Sequence, residues 1–139
     1  MLASPVGRAD LIGLLAAAAW AEHLPGRLWP LEGALERVAR EAPADGQLAE
    51  GVGPWRTDAN AVHSRFPGLR AVVAELVAAG HLTPTGGRYE VDAQWRTHYW
   101  KRIEVLRKED RAAIRAAGQA LVAMATISSK SAATALSSR

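Results

Sequence analysis

The chain has 139 residues, 49% of them hydrophobic, which is the size of one domain with enough apolar material for one core. It has no Cys, which excludes a disulfide framework, a thiolate metal site and a cysteine nucleophile, and fits a reducing, cytoplasmic interior. Charge is uneven: Met1 to Gly53 carries four basic against seven acidic residues, and Pro54 to Arg139 thirteen against seven, so positive potential gathers in the second part and favours a polyanionic partner.

Leu11 to Ala19 is an apolar run behind Arg8, and Ala19-Trp20-Ala21 imitates a small-x-small cleavage site. Asp10 abuts the run and much of it is weakly apolar Ala, so a helix is the better reading. Ser4-Pro5 supplies an N-cap and first-turn proline, and Leu11, Leu14, Leu15, Ala18 and Ala19 recur at helical spacing to about Glu22. No stretch approaches the roughly 18 apolar residues of a membrane span.

Pro25-Gly26 ends that helix, and Pro30 precedes a second from Leu31 to Glu41, with Leu31, Leu35, Val38 and Ala42 on one face. Pro43 to Trp55 holds too many breakers for regular structure and reads as a loop. Thr57 or Asp58 caps a short helix to His63 or Ser64, and Pro67-Gly68 interrupts before a helix from Leu69 to Ala79. Gly80 stands where a C-cap glycine belongs. His81 to Val91 then reads as a hairpin about Gly86-Gly87, with Pro84 confining its strand to an edge. Past Asp92, the absence of Pro, and of Gly before Gly118, predicts one long helix from Ala93 to about Thr126. Its stripe is Trp95, Tyr99, Arg102 or Ile103, Leu106, Asp110, Ala113, Ala117, Leu121 and Met124. Such a helix, about 45 Å long at 1.5 Å per residue, outreaches the domain, so part of it should pack on something else. Ser128 to Arg139 reads as a frayed tail.

Little here points to catalysis. His23, His63, His81 and His98 lie far apart with no carboxylate at ligand spacing, so no metal site is expected. Ser4 and Ser64 lack a nucleophile setting, and Gly51-Val52-Gly53 and Thr85-Gly86-Gly87 lack the ending of a phosphate loop. No cofactor is called for. Trp95, Tyr99, Trp100, Lys101 and Arg102 interleave aromatics with cations as single-strand binders do, but Trp95 and Tyr99 share a helix face, which favours packing. Arg107, Lys108, Arg111 and Arg115 are offset by Glu104, Glu109 and Asp110, as on a solvated face.

The block Thr57 to Val91 resembles the second half of a winged helix-turn-helix domain, with Leu76, Gly80 and Leu82 in the L-x-x-x-G-x-L phrase that leaves the recognition helix for the wing. The long helix behind it is similar to that of dimeric PadR- and MarR-type regulators. The resemblance implies a mainly α fold: a winged helix-turn-helix core with one hairpin wing. Residues 1–127 form the domain, with 1–23 an extra helix, 31–91 the core, 93–127 the long C-terminal helix and 128–139 a tail. It implies a homodimer through the terminal helices, with Trp95, Tyr99, Leu106 and Leu121 at the interface. The implied function is transcriptional regulation on duplex DNA, with Arg65 and Arg70 in the groove and Arg56 and Arg88 on phosphates. The recognition segment departs from the pattern: beyond its arginines it offers only Ala71, Ala74, Glu75 and Ala78, a poor base-reading face. A winged-helix module that binds protein within a larger complex therefore stands as the alternative.

Overall fold

The computed structural model describes residues 6–49, 51 and 68–137, with side chains described through Met124. In order, the elements are α1 (Arg8–Ala19), β1 (His23–Pro25), α2 (Trp29–Glu41), α3 (Leu69–Ala78), β2 (Leu82–Thr85), β3 (Arg88–Val91), α4 (Ala93–Glu104) and α5 (Lys108–Ser137). The chain is mainly helical, with a small antiparallel sheet in the order β1-β3-β2. The expected capping by Ser4-Pro5 and the short helix after Thr57 lie outside the described residues.

α1 is the centre of the core. Leu11 through Ala17 are all buried, as a helix apolar on every side must be, and α1 packs against α3, α4 and α5. Asp10 starts it by accepting the Gly7 amide at 2.8 Å. It ends at Ala19, short of Glu22, because Trp20 takes a left-handed conformation (φ 49°). The Trp20 amide then donates to Ala17 O and the Ala21 amide to Ala16 O, a Schellman closure with Trp where glycine is usual. The freed residues His23–Pro25 form β1 instead of a helix end, adding a third strand to the expected hairpin.

α2 begins at Trp29, with Pro30 in its first turn, where a missing amide costs nothing. It buries Leu31, Ala34, Leu35 and Val38. Within the stretch read as loop, residues 47–49 make a helical turn. α3 buries Leu69, Val72, Val73 and Leu76 and closes at Gly80 (φ 84°), whose amide donates to Val77 O while that of His81 reaches Leu76 O. Gly86 and Gly87 both take positive φ, 58° and 79°, as a two-residue hairpin turn needs. Pro84 lies on β2, an edge strand.

The helix expected from Ala93 to Thr126 is two helices. Asp92 caps α4 through the Trp95 amide at 2.9 Å. The chain turns over Val105 to Arg107, with the Val105 and Leu106 amides donating to carbonyls three residues back. α5 then continues past Thr126, through the segment read as a frayed tail, to Ser137. Its buried Asp110 accepts the Gln47 amide at 3.0 Å, tying the start of α5 to the helical turn behind α2. Gly118 lies so close to Ala18 and Ala19 that a side chain there would meet them, and Gly33 of α2 is likewise filled by the Met124 thioether.

Candidate nucleic-acid interface

α3 and the hairpin carry the two sequence-predicted DNA contacts that fall among the described residues. Arg70 stands exposed in the first turn of α3, and Arg88 exposed at the start of β3, paired in register with Thr85 and Pro25. Neither guanidinium has a hydrogen-bond or ion-pair partner among the described residues. The two elements belong to one unit, since α3 packs on β2 and only Ala79 to His81 separate them. The hairpin is braced from β1 as well, because Gly26 approaches the Gly87 carbonyl more closely than any side chain would allow. Arg56 and Arg65, with His63, lie outside the described residues. The outward face of α3 is otherwise Ala71, Ala74, Glu75 and Ala78. Among the described residues no side chain caps its N-terminus, where Gly68 adopts φ 86°.

The residues expected at a dimer interface are placed differently. Trp95, Tyr99, Leu106 and Leu121 are all buried within the single chain. Tyr99 lies against Gly13 of α1 so closely that a Cβ there would overlap its ring. Trp95 stands edge-on to Tyr99 at 5.3 Å and stacks on the His81 ring at 5.2 Å, so the helix behind the hairpin is keyed to the end of α3.

Below these rings is a polar node between α1 and α4. The Tyr99 hydroxyl and Arg102 Nη1 both donate to Asp10 Oδ1, the latter at 2.9 Å. Burial opposes ionisation of Asp10, but the Tyr99 hydrogen bond, the Gly7 amide and Arg102 outweigh it and hold the carboxyl below its ordinary value. The Tyr99 hydroxyl is pushed up to about 12 by burial and by the Asp10 carboxylate it serves. The groups of this node engage one another and clamp α1 to α4.

Two of the exposed tryptophans lie together beside the end of α1. Trp20 is 50% exposed and Trp100 36%, and they meet edge to face at 5.4 Å. Trp100 belongs to the cation-aromatic cluster of the sequence, but it lies off the buried stripe of Trp95, Tyr99 and Ile103. Its spacing, one residue past Tyr99, was the available signal. Among the described residues no group of three or more His, Asp or Glu stands together, and no helix is long and apolar enough to cross a membrane.

Comparison with known proteins finds no matching family model, no similar curated protein and no similar solved structure.

Proposed function

We propose that the chain is a DNA-binding protein of the winged-helix type, a transcriptional regulator acting as a homodimer on duplex DNA. The observation that carries this reading is the unit of α3 and the β2-β3 hairpin: a short helix leads through Gly80 directly into a tight hairpin, and each carries an exposed arginine without a partner among the described residues. The third strand favours it further. A hairpin presented to a DNA backbone has to be rigid, and β1 pairs along β3 on the side away from β2. In this reading α3 lies in or near the major groove with Arg70 toward base edges, and Arg88 meets a phosphate.

The test is selection of a preferred duplex followed by binding of two variants. Arg70→Ala should cost about 1–3 kcal/mol on the selected site and relax its sequence preference, as loss of a base contact does. Arg88→Ala should weaken selected and random duplexes alike and lower the salt slope by about one ion. Equal, negligible effects of both would contradict the assignment.

The alternative, a winged helix that binds protein, draws on one specific feature. The outward face of α3 presents alanines and Glu75, which offer few donors to base edges and an acidic group to phosphates. Absence of duplex binding by the intact protein would favour it.

A further inference from the structure

The surface beside the C-terminal end of α1 is built from three positions of one helix and one strained residue. Arg96, Trp100 and Glu104 are spaced i, i+4 and i+8 on α4, so they form a single row along one flank of it. The row lies next to Trp20: the Arg96 guanidinium covers the Trp20 ring at 4.2 Å from its centroid, and Trp100 abuts the same indole. Arg96 Nη1 donates to Ala21 O at 2.9 Å. Trp20 is the only non-glycine with positive φ among the described residues, a conformation disfavoured for a bulky side chain. The chain thus holds a Trp in an unfavourable backbone state and leaves half of it exposed.

The row is also self-complementary. It reads cation, indole, anion, and a helix laid antiparallel on its own copy about Trp100 pairs position 96 with position 104. The Glu104 carboxylate has no partner among the described residues, since Arg111 donates to the main-chain carbonyl of Glu104 and not to its side chain. Arg96 is half-buried, and among the described residues Nη1 to Ala21 O is the hydrogen bond its guanidinium makes, so its outer edge can still meet a carboxylate. One twofold contact would therefore bring two Arg96–Glu104 pairs to the flanks and the paired indoles to the centre. Apolar centres with polar rims, rich in Trp and Arg, are where binding energy concentrates.

We propose that this chain forms a twofold dimer through the Arg96-Trp100-Glu104 row and Trp20, with α4 antiparallel to α4 of a second copy. This deepens the dimeric part of the function proposed above and is independent of DNA binding. It also relocates the interface: the stripe of Trp95, Tyr99, Leu106 and Leu121 is spent on the chain's own core, and the adjoining flank faces the partner.

Analytical ultracentrifugation of the full chain without DNA tests the proposal, so the result is independent of whether DNA binds. The wild type should sediment as a dimer. Trp100→Glu should raise the dimer dissociation constant by about thirtyfold or more, the size of a hot-spot loss. Glu104→Arg, at an exposed position, should set cations opposite one another and raise it about tenfold at low salt, with the effect shrinking as salt is added. If Trp100→Glu fails to fold, Glu104→Arg decides alone. A wild type that stays monomeric at high concentration overturns the proposal, and so does a dimer that Glu104→Arg leaves unchanged at low salt.

Discussion

Asp10 accepts hydrogen bonds from the Gly7 amide, the Tyr99 hydroxyl and the Arg102 guanidinium, and so one carboxylate both starts α1 and fastens it to α4. Its pKa is lower in the folded chain than the ordinary value of 3.8. The stability it contributes is therefore complete above that value and is lost as pH falls below it toward the folded pKa. Tyr99 behaves in the opposite sense: its pKa rises from 10.0 to about 12 on folding, so its contribution is complete below pH 10.0 and is lost as pH climbs through about 12. Tyr99→Phe should cost about 1.5 kcal/mol near neutral pH, as a hydrogen bond to a charged group does. In thermal melts it should also flatten the alkaline decline of stability above pH 10.0 while keeping the cooperative transition. An unchanged alkaline limb would show that the clamp does not form. No single residue of this node signals its role in sequence, because Asp10 and Tyr99 are distant in the chain and meet only when α1 and α4 pack.

At the scale of elements, apolar periodicity reported faces correctly and helix ends poorly. Of the predicted stripe, Trp95, Tyr99, Ile103 in place of Arg102, Asp110, Ala113, Ala117 and Leu121 are the buried face of α4 and α5, Leu106 is buried in the turn between them, and Met124 is half-buried. The turn at Val105 to Arg107 contains neither Gly nor Pro. What marks it is Glu109 and Asp110 in a new first turn, where the helix dipole favours acids. Asp110 departs from the rest of the stripe as a fully buried carboxylate, and its Oδ2 holds the Gln47 amide. Asp110→Ala should lower stability by about 1–3 kcal/mol by stranding that amide, measured by urea unfolding. A loss within a few tenths of a kcal/mol would mean that the amide finds another partner. β1 was illegible for a different reason. Three residues, His23-Leu24-Pro25, are too few to display a period, and their pairing with β3 is set by contacts more than sixty residues away.

For the molecule as a whole, the hairpin and α3 were legible because Gly80, Gly86 and Gly87 each mark a backbone conformation that other residues resist. The position of α1 was not. Its apolar spacing marks one face of an added helix, whereas Leu11 through Ala17 are buried on every side and the other helices are arranged around them. The candidate site was legible only in part. Arg70 and Arg88 stand exposed on α3 and the hairpin, but periodicity cannot tell whether an apolar stripe meets its own chain or another, and Trp95, Tyr99, Leu106 and Leu121 are internal. The excess of positive charge beyond Gly53, together with the α3-hairpin unit, makes association with a polyanion the central expectation. The most direct test is fluorescence anisotropy of the full chain with random duplex DNA over a salt series. A polyanion-binding chain should bind at low salt and weaken linearly on logarithmic axes, with a slope of about −0.9 for each phosphate contacted. No binding at the lowest salt, or binding indifferent to salt, would contradict association with duplex DNA.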